Sequence, residues 1–172
     1  GREQTDKAVT PPSGTQTIDM VISYDQANPI YNEDYTEIID YDEPSKISYK
    51  GQMAIAGNDM YLQYYSNASG WIKGSIDGGK VTFPTGQYLG GDLESSQHAY
   101  FSAIGENGEK VDHVTFDYDP QTITLSNSKD TLYANGGKEE LYYMVQLPNP
   151  TITKLNDIAA TPQAPDMMNM SL

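Results

Sequence analysis

Short alternations of apolar and polar residues, each closed by a turn rich in Gly, Asn or Asp, set the rhythm of this chain. Residues 60–65 read Met-Tyr-Leu-Gln-Tyr-Tyr, 71–76 read Trp-Ile-Lys-Gly-Ser-Ile, Asp77-Gly78-Gly79 turns, and 80–83 read Lys-Val-Thr-Phe. A period of two places one set of side chains on a buried face and the other in water, which predicts strands. Positive φ is cheapest at Gly, Asn and Asp, so such turns predict hairpins. The first strand is expected over 17–24, with Ile18, Met20, Ile22 and Tyr24 on one face, Thr17, Asp19 and Ser23 on the other, and Val21 the exception. Further strands are expected over 46–56, 60–66, 71–76, 80–83, 97–104, 111–118, 122–126, 131–134, 140–147 and 151–155, with a brief pairing at 87–89. No segment holds a 3.6-residue period for three turns; a short helix has room only near 153–159.

About ten short strands at regular spacing predict an all-β, antiparallel domain, either a β-barrel (calycin-like) or a β-sandwich. Links of hairpin length favour an up-and-down order. Closure or a second packed sheet also removes the hazard of two open edges. Residues 25–44 break the pattern. They are acidic and dotted with tyrosine, contain Asn28-Pro29 and Pro44, and predict a long loop with at most a short strand over 35–41. Residues 1–16 are polar and hold Pro11-Pro12-Ser13-Gly14, which predicts a flexible N-terminal tether. The single all-β domain is expected over 17–158, and a flexible tail with Pro162 and Pro165 over 159–172. Gly1 reads as the residue left by trimming, with an export signal removed upstream.

Composition narrows the function classes. With 172 residues, folding can bury roughly 70% of the chain's surface, so a core needs no covalent staples. Cysteine is absent, which removes disulfides, thiolate metal sites and cysteine nucleophiles. The net charge of −14 repels phosphate backbones and anionic lipid, which argues against nucleic-acid partners. No apolar run approaches the ~20 residues of a membrane-spanning helix, so no membrane insertion of the domain is expected. Tyrosine dominates the aromatics, with 14 Tyr against 3 Phe and 1 Trp. Tyrosine suits a half-wet sheet face and a sugar-stacking surface for one reason, a flat body with a polar tip.

The runs Gly57-Asn58-Asp59-Met60-Tyr61-Leu62-Gln63, Trp71-Ile72-Lys73-Gly74-Ser75-Ile76-Asp77-Gly78, 80–90 (Lys-Val-Thr-Phe-Pro-Thr-Gly-Gln-Tyr-Leu-Gly) and Val114-Thr115-Phe116-Asp117-Tyr118-Asp119 resemble a β-rich family of exported, often lipid-anchored proteins of Bacteroides-type bacteria. Leu141-Tyr142-Tyr143 and Ala159-Ala160-Thr161-Pro162 fit the same style. The resemblance implies export to the periplasm or cell surface, with a lipid anchor ahead of the tether. It brings no catalytic residues with it.

Candidate chemistry is sparse. Tyr61, Tyr65 and Trp71 form the one aromatic cluster that suits ligand binding: with Met60, Leu62 and Tyr64 in the core, Tyr61 and Tyr65 point outward and could stack on a sugar ring or a partner protein. The same residues would serve equally as a cross-strand tyrosine ladder. Asp40, Asp42 and Glu43 are the candidate metal ligands, for Ca²⁺, though without the spacing of an EF-hand loop. His98 and His113 would approach each other only if their strands pair. There is no Gly-x-Ser-x-Gly elbow and no phosphate loop, and with 24 acidic residues some carboxylate pair always looks suitable for glycoside hydrolysis. The expectation is therefore a non-catalytic exported binding or structural module with a glycan, a small ligand or a surface protein as partner. The alternatives are a carbohydrate-active enzyme using paired carboxylates and an assembly component of the cell envelope.

Overall fold

A computed structural model describes residues 8–64, 70–92, 97–135 and 143–155. They form twelve strands: β1 (Thr17–Tyr31), β2 (Ile38–Ala56), β3 (Asp59–Gln63), β4 (Ile72–Asp77), β5 (Lys80–Pro84), β6 (Tyr88–Asp92), β7 (Gln97–Ile104), β8 (His113–Asp119), β9 (Thr124–Ser126), β10 (Thr131–Asn135), β11 (Tyr143–Pro148) and β12 (Thr151–Lys154). Eight of them close into an antiparallel barrel in the order β1-β12-β9-β8-β5-β4-β3-β2, and the other four form a sheet in the order β11-β10-β7-β6. The all-β expectation holds, and of its two forms the barrel is the one adopted.

Without β6–β7 and β10–β11, the barrel is a simple meander in which each strand pairs with the next and β12 returns to β1. The tight turns sit where the glycines predicted them. Gly57 and Gly78 hold φ of 64° and 61° at the first position of two-residue loops that join Ala56 to Asp59 and Asp77 to Lys80. This places the twist of the turn in step with the twist of the strands. The two extra hairpins are inserted at one rim: β6–β7 between β5 and β8, and β10–β11 between β9 and β12. Ser23 of β1 pairs with Thr151 at the start of β12, so the far end of β1 leaves from that same rim.

One core runs through the barrel and under the small sheet. On β8 the expected alternation is realised: Val114 and Phe116 are buried while His113, Thr115 and Asp117 are exposed. Phe116 meets Phe83 edge to face, with ring centroids 5.8 Å apart. Gly74 makes this possible, because a Cβ there would lie 2.7 Å from the Phe83 ring. Gly51 does the same for Ile22, whose terminal carbon would be 2.5 Å from an added Cβ. Met20, Met53, Met60, Leu62, Ile72, Leu125 and Ile152 complete the barrel filling. The small sheet adds Leu89, Phe101, Leu132 and Leu147 to the same cluster. Tyr64 joins the two layers. Its ring packs on Phe101 at 5.7 Å, its hydroxyl donates to the Tyr133 carbonyl at 2.8 Å, and its own carbonyl accepts from the Tyr49 hydroxyl.

Two sequence expectations are corrected. Residues 25–44 are not a long loop: β1 continues to Tyr31 and β2 begins at Ile38, so the two strands run past the barrel rim as a free-standing hairpin arm. The alternation fails there because an arm without a core beneath it has no buried face to mark. The prolines fit because neither occupies a central strand: β12 pairs with β1 only over residues 20–23, so Pro29 lies on an open edge, and Pro44 lies at a bulge. The tether is also partly docked, since Val9 bridges to Trp71 and Thr15 N–H donates to the Pro12 carbonyl at 3.1 Å. Residues 151–154 are strand, as expected; residues 156–159 of the possible short helix, and the tail, lie outside the described residues.

Candidate functional site

The structure separates the predicted aromatic cluster from solvent. Tyr61 does lie opposite Met60 and Leu62, as the alternation requires, but it is only 6% exposed, and Trp71 is 8% exposed. Both pack with Ala54 in a small outer cluster that Val9 and Ala56 cover. Lys73 Nζ sits 6.0 Å from the Tyr61 ring centroid and 3.7 Å from an Asp59 carboxylate oxygen. The outward face expected of Tyr61 is thus occupied by the N-terminal segment. Tyr65 lies outside the described residues.

The exposed apolar surface is elsewhere. Among the described residues, the exposed large hydrophobic side chains are Ile30, Tyr31, Tyr35, Ile38, Ile39 and Tyr41, and all six belong to the arm. Beyond Ser23 the arm extends eight residues along β1, roughly 27 Å at about 3.4 Å per residue. Cross-strand partners share a face. The pairs Pro29↔Tyr41 and Tyr31↔Ile38 define an apolar face, while Asn28↔Asp42 and Ile30↔Asp40 define the opposite, acidic one. Even-numbered β1 residues face the core in the barrel, as Met20 and Ile22 do, so the apolar face of the arm continues the outer wall.

Two bulges and a capped tip hold the arm's shape. The register shifts between Gln26 and Asn28 and again between Ile30 and Tyr31, each time with an extra residue on β2. At the first bulge Asn28 Nδ2 donates to the Glu43 carbonyl at 2.7 Å and to Ser45 Oγ at 2.9 Å. At the tip Asn32 Oδ1 accepts from the Thr36 backbone N–H at 2.9 Å, and Asn32 Nδ2 donates to Thr36 Oγ1 at 2.9 Å. Tyr35 has φ of 59°, a left-handed conformation that costs a non-glycine residue about 1–2 kcal/mol. It is 78% exposed, and its ring stands 5.9 Å from that of Tyr31. Tyr35 is thus a strained, outward-held tyrosine at the end of a projecting ribbon.

The candidate metal ligands lie on the same arm. Asp40 and Asp42 each accept a backbone N–H from the next residue, at 2.8 and 2.9 Å, and Glu43 sits at the bulge. Among the described residues, no three His, Asp or Glu side chains gather closely enough to hold a metal ion. His98 is on β7 and His113 on β8, strands of different sheets that do not pair. His113 Nδ1 instead lies 2.7 Å from the Asp112 carboxylate.

A second feature is an open groove of about 610 Å³ on the outer wall, lined by Lys80, His113, Thr115, Asp117 and the turn at Asn127–Asp130. Lys80 Nζ donates to Asp117 Oδ1 at 2.6 Å, and this bond and charge hold the Asp117 carboxyl below the usual carboxylate range. That is the wrong direction for a general acid in glycoside hydrolysis. Asn127 is structural: its amide donates to the Thr115 carbonyl and to Asp130, and its oxygen accepts the N–H groups of Lys129 and Asp130.

The sequence contained Tyr31, Tyr35 and Tyr41 in plain view, but within a stretch read as loop. The usable signal was apolar side chains persisting in the most acidic segment. No family model, curated protein or solved structure matches this chain.

Proposed function

We propose that this protein is a non-catalytic binding module that docks a partner protein through the β1–β2 arm. The carrying observation is the concentration of the exposed large apolar side chains on that one projecting element. Scattered surface hydrophobics are ordinary, whereas a contiguous apolar patch on a rigid projection is the signature of an interface. Tyrosine is the residue type that such interfaces favour, because it brings large contact area with little rotamer entropy to lose. The export setting carries over from the resemblance of the strand and turn runs.

The other readings have less support. Small eight-stranded barrels have interiors just wide enough to be filled by side chains, and here Met20, Met53, Phe83 and Phe116 fill this one with no exposure to solvent. These side chains occupy the space that an enclosed apolar ligand would need. The outer groove has no Tyr, Trp or Phe in its lining, so it lacks the stacking face that favours a sugar ring.

The test is site-specific photo-cross-linking in the native envelope fraction, with the reactive group at position 35 or at position 106 in the turn that follows β7. A discrete adduct from position 35 alone, lost on Tyr31→Ser with Tyr41→Ser while the urea midpoint is unchanged, supports the reading. Equal adducts from both positions, or adducts indifferent to the tyrosine changes, overturn it.

A further inference from the structure

Resting on that reading, we infer that the partner presents an apolar groove rimmed by lysine or arginine, and that it takes the arm by its apolar face rather than by strand addition at its edges. The charge of the arm points to this partner. Residues 24–47 carry seven carboxylates (Asp25, Glu33, Asp34, Glu37, Asp40, Asp42 and Glu43) against Lys46 alone. Lys46 is already engaged, 3.0 Å from Asp25. Among the described residues the other six carboxylates have no cationic partner. Glu33, Asp34 and Glu37 sit at the tip between Tyr31 and Ile38, beside Tyr35, while Asp40 and Asp42 lie on the opposite face. A surface that closes over the tyrosines and the tip must therefore bring compensating cations to its rim, or it desolvates unpaired charge.

The same charges disfavour a second copy of this chain. The acidic tip of one arm would meet a second molecule that itself carries −14.

The edges are unsuited to strand addition. Pro29 removes a donor from the β1 edge. The β2 edge is broken by two bulges and by Pro44, and it carries Asp40, Asp42 and Glu43. These are the devices by which natural sheets keep other strands from pairing. The face has no such protection. Its shape is held in advance by Asn28 at the bulge and Asn32 at the tip, which lowers the ordering cost of binding.

The experiment measures fluorescence anisotropy of three designed hairpin peptides against the purified chain. The first carries Val and Leu on one face with Arg at the rim, the second has Glu for Arg, and the third has Ser for Val and Leu. The expected result is binding of the first alone, weakened about tenfold between low and moderate salt as exposed charges are screened. It also weakens about tenfold in Glu33→Gln/Asp34→Asn/Glu37→Gln, but stays within about twofold in Asp77→Asn/Glu106→Gln/Asp112→Asn, which removes the same charge elsewhere. Equal binding of the first two peptides, or equal loss in the two triple variants, overturns the inference. So does a dimer in light scattering that Tyr35→Ser dissolves, or co-sedimentation with phosphatidylcholine vesicles that Tyr35→Ser abolishes. If no peptide binds while position 35 still cross-links a discrete protein, the partner chemistry is wrong and the arm reading stands; if both fail, both are wrong.

Discussion

Strands β1 and β2 build two regions with one ladder. Near the barrel, Met20 and Ile22 are wholly buried; along the arm, the same two strands continue their antiparallel pairing and expose Tyr31, Ile39 and Tyr41. The backbone pairing is alike, and what differs is the second layer. Cross-strand pairs alone contribute about 0.2–1 kcal/mol each, and an isolated two-stranded hairpin is marginal in water. The arm therefore depends on the barrel that clamps its base, whereas the barrel needs nothing from the arm. This asymmetry frees the arm's side chains from packing duty and leaves them available for recognition.

The largest test of the comparison is Phe116→Ala. It removes the edge-to-face partner of Phe83 and should cost about 3–5 kcal/mol in urea unfolding. A loss below 1 kcal/mol would mean that the barrel interior is not the packed unit described above. Gly74→Ala follows, at about 1–3 kcal/mol, because the new methyl collides with the Phe83 ring and the Thr82 carbonyl oxygen. On the arm, Tyr35→Gly should relieve roughly 1 kcal/mol of left-handed strain, partly offset by unfolded-chain entropy. Hydrogen exchange at residues 32–37 should slow while the global midpoint stays put; a shifted midpoint would show the tip to be coupled to the core. Replacing residues 25–46 by Asn-Gly joins the paired residues Tyr24 and Ile47. It should change barrel stability by less than about 1 kcal/mol, the scale expected for altered loop length, while abolishing partner capture.

The smallest effect is expected from the exposed Lys80–Asp117 pair. The folded-state pKa of Asp117 is depressed, so its contribution is present above the ordinary carboxylate value of 3.8 and is lost as pH falls through the folded value. Asp117→Asn should therefore match the parent protein at pH 2 and be slightly less stable at pH 7. A difference that grows toward acid would reverse this assignment.

The strands of the barrel were legible because they carry a buried face. Val81 and Phe83 alternate with Lys80 and Thr82, and Val114 and Phe116 with Thr115 and Asp117, so a period of two could be read directly. The arm was not, since alternation records burial and the arm buries neither face. For the same reason Pro29 and Pro44 read as breakers, although an open edge and a bulge accommodate both. The cover over Tyr61 and Trp71 was not legible for a different reason. Alternation put Tyr61 on the outer wall correctly, but no local pattern could announce that Val9, over fifty residues earlier, would lie across Trp71.

Local chemistry in the sequence determined the class of this protein. Period-two runs joined by Gly57-Asn58 and Gly78-Gly79 turns can form only antiparallel hairpins, and the absence of cysteine leaves hydrophobic packing to hold them. The tertiary structure decided closure of β1 on β12, the merging of the small sheet with the barrel core, and the projection of residues 24–47 beyond the rim. Each of these is a matter of which distant surfaces meet, and a one-dimensional pattern records that a face is buried without recording what buries it. The candidate site is the extreme case, because it is made by residues that none of the described residues covers.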